Sequence, residues 1–197
     1  NDLKNGGQGA PLTPIFHQSL VRNINLDWWP VVVLNIGGIS NATSVSRLYP
    51  SNLNDDKDYK LFAEDIGPGN CMIDEWVRKN SKYRYDKDGL IAKSGIVNEL
   101  TFNQAIDNFL HFDNFKNKSL DIKDFDISFV RGLSLEDGAA TLTHFTAKLI
   151  AEGLINFMLK TYAPRIDILS KTICLVCGGG RKNRYLIDLL RNNLNID

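Results

Sequence analysis

Trp29 to Tyr49, "WPVVVLNIGGISNATSVSRLY", is the stretch that decides the fold. A near-continuous apolar run ends at Gly37-Gly38, and β-branched residues then alternate with small polar ones. The pattern predicts two strands joined tightly at the glycine pair. Working outward, "YKLFAED" (Tyr59 to Asp65) supplies a third short strand, and the intervening "YPSNLNDDKDYK" reads as a solvated hairpin connection. Gly67-Pro68-Gly69 reads as a corner after that strand. Beyond it Met72, Ile73, Trp76 and Val77 fall at helical spacing, with Asn70 placed to cap the first turn.

"NELTFNQAIDNFL" is a second amphipathic helix, inside a segment from about 80 to 132 that otherwise mixes charges, aromatics and turns and reads as an inserted subdomain. "SLEDGAATLTHFTAKLIAEGLINFMLKTYAP" opens with Ser134 and Asp137 in capping-box positions and stops before Pro164, predicting one long buried helix from about Ser134 to Tyr162. "TICLVC" is then a buried strand, "GGG" a turn, and "RKNRYLIDLLRNNL" a closing helix. This is an α/β order, expected to give a mixed sheet with helices packed on it.

The chain has 197 residues and 43% hydrophobic content, enough for one ordinary core. Lys plus Arg equals Asp plus Glu at 23 each, so no net field steers the protein toward nucleic acid or an anionic membrane. No apolar run reaches the roughly 20 residues that span a bilayer, and the first residues carry no signal-peptide pattern, so the expectation is a cytoplasmic protein. Three cysteines, far apart, argue against a secreted disulfide framework. Cys174 and Cys177 form a C-x-x-C, but on a strand residues three apart point to opposite faces, which favours core thiols over a redox or metal pair.

Several short stretches could carry chemistry. In "VCGGGRKN" a buried strand runs into Gly178, Gly179 and Gly180 and then a helix, where backbone N–H groups can approach an anionic or flat ligand, although Asn183 stands where a dinucleotide fingerprint wants glycine. A tight structural turn explains it equally well. "LNIGGISN" offers the same choice between a ligand loop and a plain hairpin. Asp65 sits at a strand end before glycines, so it is either a reactive carboxylate or an Asx-type turn; Glu64 should point to the other face. "DKDG" resembles part of a calcium loop, but Arg84 and Gly95 fall where ligands are required, so it is a turn and no metal site is expected. His17, His111 and His144 are dispersed and read as structural, His17 least securely because it lies beside the glycine-rich "NGGQGAPLTP". Gln8 in that loop could face a sugar or an amide, or simply belong to an ordered connector. Neither a nucleophile elbow nor a P-loop is present.

Taken together and in this order, "GGQGAPLTPIFH", "LNIGGISN", "DIGPGN", "YDKDGLIAKSG", "ATLTHFTA" and "CGGGRKN" resemble the bacterial anhydro-N-acetylmuramic acid kinase family over nearly the whole chain. The resemblance implies a ribonuclease-H-like lobe of the actin, heat-shock protein 70 and sugar kinase superfamily. It implies ATP and Mg²⁺, and conversion of 1,6-anhydro-N-acetylmuramic acid to N-acetylmuramic acid 6-phosphate. Asp65 would be the catalytic base. Gly37, Gly38 and Asn41 would belong to a second phosphate loop, Gly178, Gly179, Gly180 and Asn183 to an adenosine loop, and Gly67, Gly69 and Asn70 would also meet the nucleotide. Gln8, Gly9, Pro11 and His17 would meet the sugar. The family's N-terminal lobe, with its first phosphate loop, and its final strand and helix have no counterpart, so the chain is expected to be a partial C-terminal lobe. Its protein partner would be a second copy or a complementing N-terminal lobe. Leu120-Asp121-Ile122-Lys123 departs from the family pattern. The competing reading is an inactive fragment that binds a nucleotide or a partner; a nicotinamide-dependent dehydrogenase is disfavoured because no early G-x-G-x-x-G is present.

Overall fold

In the computed structural model, which describes residues 14–23, 30–47, 59–111, 119–162 and 171–196, Gly37-Gly38 joins β1 (Val31–Ile36) to β2 (Ile39–Arg47) as an antiparallel hairpin. β3 (Tyr59–Pro68) pairs antiparallel with β2, and β4 (Ile173–Cys177) pairs parallel with β1. The sheet order is β3-β2-β1-β4. Three antiparallel strands followed by a parallel one reached through helices is the arrangement of a ribonuclease-H-like lobe, as expected.

Strand alternation divides the sheet into two faces. Val32, Leu34, Ile36 and Ala42 pack with Ile150, Leu154 and Phe157 of α5 (Leu135–Tyr162) and Leu186 and Leu190 of α6 (Arg184–Leu194). Val31, Val33 and Val45 face the other way and are covered by Val21 of α1 (Pro14–Asn23). Cys174 joins the first group and Cys177 the second, so the C-x-x-C thiols do lie on opposite faces. All three cysteines are free.

A second core joins α2 (Cys71–Asn80), α3 (Leu90–Ser94) and α4 (Glu99–His111) to the N-terminal half of α5 through Ile73, Trp76, Ala92, Ile106, Leu142 and Phe145. The segment read as an insertion shares this core with α2 and α5. Trp76 donates its indole N–H to the Leu135 carbonyl at 2.9 Å, over Gly138, where a Cβ would fall 2.4 Å from the ring. Gly153 gives α5 the same close approach to β3, because a Cβ there would lie 2.1 Å from the Ile66 carbonyl oxygen.

Four local expectations need correction. β3 does not stop at Asp65: Gly67 and Pro68 pair with Ser40 and Ile39, past a bulge opposite Ser40 and Asn41, and Ser40 Oγ donates to the Pro68 carbonyl at 2.9 Å. An edge strand tolerates proline because its outward N–H has no partner to lose. Asn70 does not cap α2 with its side chain. The capping box at α5 is half formed: Ser134 Oγ accepts from the Asp137 N–H, but the Asp137 carboxylate accepts from the Ile96 N–H at 2.8 Å instead of turning back. The closing helix starts at Arg184, because residues 179–182 form a 3-10 turn and the Asn183 Oδ1 caps the helix by accepting from the Leu186 N–H at 3.0 Å. The 48–58 connection lies outside the described residues.

Candidate active site

Three glycine turns meet at one end of the sheet. The Gly69 N–H and Cys71 N–H donate to the Gly38 carbonyl, at 2.8 and 3.2 Å, and the Asn70 N–H donates to the Gly37 carbonyl at 2.7 Å. The Asn70 Nδ2 adds a second bond to that carbonyl at 3.1 Å. This work displaces it from capping. Gly180 closes the group, since a Cβ on it would stand 2.3 Å from Ile36 and 3.0 Å from the Asn70 amide. Gly178 adopts φ +81 with its Cα against the Asn35 Oδ1 and the Ile36 carbonyl, a conformation and an approach that only glycine permits. Of the ten positions named for the nucleotide, Gly37, Gly38, Gly69, Asn70, Gly178 and Gly180 meet here, from three separate segments, while Gly67 lies against Leu149 of α5.

On the α1 face, one level of the sheet carries a polar row: Asp65 opposite Asn41, Asn41 opposite Asn35, and Asn35 beside Cys177. The Cys177 Sγ lies 3.7 Å from the Asn35 Oδ1. Among the described residues the Asn41 Oδ1 is buried without a hydrogen-bond partner. An orphaned acceptor costs about 1–3 kcal/mol, and the Thr146 Oγ1 of α5 is buried in the same state.

Asp65 is gripped from outside the sheet. Its Oδ2 accepts from the Leu120 N–H at 2.9 Å and from the Ser119 Oγ at 3.3 Å, while Oδ1 takes no hydrogen bond from a described residue. Glu64, one residue earlier, turns to the opposite face and pairs with Lys160 of α5 at 3.2 Å. The segment that delivers Leu120 is the one that departs from the family pattern. It holds its own shape, as the Asp121 Oδ1 accepts from the Lys123 N–H at 3.0 Å and the Asp124 Oδ2 from the Asp121 N–H at 2.7 Å. Ile122 lies over Gly38, 3.4 Å from where a Cβ would be. Sequence reasoning left this segment without a role. The signal for its shape was the Asp-x-x-Asp spacing; nothing in the sequence pointed to its contact with Asp65.

His17 stands apart from that contact. Its Nδ1 is 2.9 Å from the Thr43 Oγ1, its ring is 4% exposed, and burial lowers its pKa from 6.5. Thr43 is two residues from Asn41 on the same face, so the ring adjoins the polar row from beneath α1. His144 pairs through Nε2 with the Tyr185 hydroxyl at 2.9 Å and is likewise lowered by burial, against an opposing pull from Glu99. Gln8, Gly9, Pro11 and the side chain of His111 lie outside the described residues.

A cavity of about 250 Å³ opens beside the glycine turns, lined by Asn70, Asp74, Tyr85, Asp86, Asp88, Gly179, Lys182 and Asn183. Among the described residues no group of three His, Cys, Asp or Glu side chains is placed to cage a metal ion, and no helix is long and apolar enough to cross a membrane.

Residues 1–196 match the sequence model of a family described as anhydro-N-acetylmuramic acid kinase. The anhydro-N-acetylmuramic acid kinase of Pelagibacter ubique (strain HTCC1062) is 45% identical over 194 residues, covering 98% of this chain and 48% of the relative. That of Zymomonas mobilis subsp. mobilis (strain ATCC 31821 / ZM4 / CP4) is 40% identical over 194 residues, covering 98% and 47%. The chain thus spans about half the length of these curated relatives. Among solved structures, an activator of the 2-hydroxyisocaproyl-CoA dehydratase from Clostridium difficile with bound ADPNP overlaps 92% of this chain and 56% of its own, at 10% identity and a TM-score of 0.43.

Proposed function

Because the chain belongs to the anhydro-N-acetylmuramic acid kinase family, we propose that it carries the nucleotide turns and the catalytic base of a cytoplasmic, ATP-dependent kinase acting on 1,6-anhydro-N-acetylmuramic acid. The observation that carries the reading is Asp65: a carboxylate fixed through one oxygen by the Leu120 N–H, with its other oxygen open, beside three converged glycine turns. A general base needs that combination of fixed direction and available lone pair.

In the proposed reaction the Asp65 Oδ1 takes a proton from a water whose oxygen attacks the anomeric carbon. The bond from that carbon to the anhydro oxygen breaks, and the released oxygen takes the γ-phosphoryl group of ATP, giving ADP and N-acetylmuramic acid 6-phosphate. The Asn41 Oδ1, opposite Asp65, is an acceptor and so suits a water or sugar hydroxyl, whereas a phosphate would have to use its Nδ2. The Gly69, Asn70 and Cys71 N–H groups are taken by the Gly38 and Gly37 carbonyls and Asn183 caps α6, so phosphate oxygens would be met at the Gly178–Gly180 turn, where no side chain obstructs the backbone. Mg²⁺ would supply charge neutralisation on the phosphates, where it usually keeps only one or two protein carboxylates.

Phosphoryl transfer depends on positioning, and about half of the relatives' length is not in this chain. We therefore expect no turnover from the 197 residues alone and turnover when they are joined to, or mixed with, the half of a relative that they do not match. That coverage also favours a second reading, a fragment that binds nucleotide without turnover. The test is to supply Mg-ATP and the anhydro sugar and measure ADP and sugar phosphate. Product from the joined protein that vanishes in Asp65→Asn supports the kinase. Binding of ATP with no product in any combination supports the inactive fragment, and product unaffected by Asp65→Asn removes the base assignment.

A further inference from the structure

Asp65 and Asn41 stand opposite each other in the β2–β3 ladder, next to the bulge, and each brings one oxygen that takes no hydrogen bond from a described residue. On Asp65 it is Oδ1, because the Leu120 N–H and the Ser119 Oγ occupy Oδ2. On Asn41 it is the buried Oδ1. An orphaned acceptor by itself marks nothing, since the Thr146 Oγ1 of α5 is in the same state. What sets Asn41 apart is its counterpart across the ladder, a carboxylate with one oxygen held and the other open.

The polar groups around this pair are engaged elsewhere. Thr43, the next residue of β2 on this face, has its Oγ1 2.9 Å from the His17 Nδ1. Asn35 lies opposite Asn41 on the β1 side. Its Oδ1 is 3.7 Å from the Cys177 Sγ and abuts Gly178, where a Cβ would fall 2.5 Å from it, and its Nδ2 is 3.8 Å from where a Cβ on Gly37 would be. The Asp65 carboxylate and the Asn41 amide oxygen are both acceptors, so they cannot bond to each other, and a group that satisfies both must donate twice. Two acceptors bridged by one water stand about 4.5 Å apart. Side chains directly opposite in an antiparallel pair have Cβ atoms about 4.5–5.5 Å apart, so the ladder supplies a spacing that a single water fills.

We propose that Asn41 is the second acceptor for the attacking water, and that the Asp65–Asn41 pair selects water over an alcohol as the nucleophile. The proposal rests on the kinase reading above and adds which residue chooses the nucleophile; it assigns Asn41 to that water and not to the phosphates. Water donates one hydrogen to the Asp65 Oδ1 and the other to the Asn41 Oδ1, which leaves its lone pairs free for the anomeric carbon. As the oxygen bonds to that carbon, the first hydrogen passes to Asp65 as a proton and the bond from the carbon to the anhydro oxygen breaks. The second hydrogen stays on the new anomeric hydroxyl, still donated to Asn41. An alcohol has one hydrogen to give. With that hydrogen on Asp65, the Asn41 Oδ1 is left buried and unpaired against an alkyl group, a penalty of roughly tenfold or more in rate.

The experiment supplies Mg-ATP, the anhydro sugar and methanol to the chain joined to the half of a relative that it does not match, as wild type, Asn41→Thr and Asn41→Val. Attack by water gives ADP and the free sugar 6-phosphate; attack by methanol gives ADP and the methyl glycoside 6-phosphate, and mass spectrometry reads their ratio. Threonine and valine have the same shape and both suit a strand, but only threonine keeps an acceptor oxygen. The ratio is read on the product, so a variant that is partly unfolded does not disturb it. Wild type should form the methyl glycoside at no more than about a tenth of methanol's share of the solvent. Asn41→Val should raise that share roughly tenfold with the KM for ATP unchanged, and Asn41→Thr should stay nearer wild type. Methyl glycoside at methanol's full share in wild type, or one ratio in wild type and Asn41→Val, overturns the proposal and leaves the kinase reading standing. A raised KM for the anhydro sugar in Asn41→Val with an unmoved ratio overturns it in favour of a sugar hydroxyl on Asn41. A crystal structure of the 197-residue chain gives a measurement independent of turnover. A water within hydrogen-bond distance of both oxygens supports the proposal, and a cation about 2.0–2.6 Å from them, or no ordered density, overturns it. That water with no product from any joined protein removes the kinase reading, and the choice of nucleophile with it.

Discussion

Gly69 lies so close to Gly37 that a methyl group on its Cα would stand 2.2 Å from the Gly37 carbonyl oxygen. The two positions are on different strand ends, and their backbones touch because neither carries a side chain. Gly69→Ala must separate the turns, breaking the bonds that Gly69 and Asn70 make to Gly38 and Gly37. The expected loss is about 1–3 kcal/mol in urea unfolding, the usual cost of overpacking, together with weaker ATP binding. An unchanged midpoint would mean that the turns part freely.

Gly153→Ala sets two effects against each other. Alanine improves helix propensity by about 1 kcal/mol, but its Cβ would fall 2.1 Å from the Ile66 carbonyl oxygen. Backbone cannot rotate away as a side chain can, so the clash should win and the variant should melt below wild type. A gain in melting temperature would show that α5 can shift off β3 at little cost.

Leu120→Pro removes the N–H that fixes the Asp65 Oδ2. Activity of the chain joined to the half of a relative that it does not match should fall with little change in ATP affinity, and Ser119→Ala, which removes the longer bond, should be milder. The reverse order of severity would assign the grip to Ser119.

His17 and His144 are both held below their ordinary value of 6.5 by burial. The unfolded chain therefore takes up protons near pH 6.5 that the folded chain refuses, so stability is full above that value and declines as pH falls toward the folded-state pKa values. Melting temperatures at pH 7.5, 6.5 and 5.5 should fall in that order, and His17→Gln should flatten the lower part of the curve. A slope that is the same in wild type and His17→Gln would show that this ring is not the source.

Burial pushes the Cys174 thiol up to about 11 and raises Cys177 less, where Arg181 opposes the shift. At pH 8 iodoacetamide should label Cys177 before Cys174, and mild oxidation should leave no bond between them, as they face opposite sides of β4. A fast Cys174–Cys177 disulfide would show that the strand is not held in the sheet.

Much of this molecule was legible in its sequence, for reasons that are local. Val31 to Val45 carries its hairpin in its alternation, and Ser134 to Tyr162 carries its helix in its spacing and its stop before proline. What was not legible depends on contacts across the chain. Asn70 has the right residue type for a cap, but a carbonyl 33 positions away claims its amide. Asp137 completes a capping box in sequence, yet Ile96 takes its carboxylate. The contact that defines Asp65 joins residues 55 apart, and no short motif records it. Gly67 and Pro68 read as a corner because local propensity cannot see that Ser40 and Ile39 extend the ladder beside them.

The 28-residue α5 runs about 42 Å at 1.5 Å per residue. It serves the second core with Leu142 and Phe145 and the sheet with Ile150, Leu154 and Phe157. A helix shared in this way has no point at which one half can melt and leave the other packed. Amide hydrogen exchange should accordingly report a single cooperative opening for β1, α2 and both ends of α5. The Tyr85–Gly89 turn and the glycine loops are then carried by one rigid body, and any ligand bound between them stabilises the whole of it.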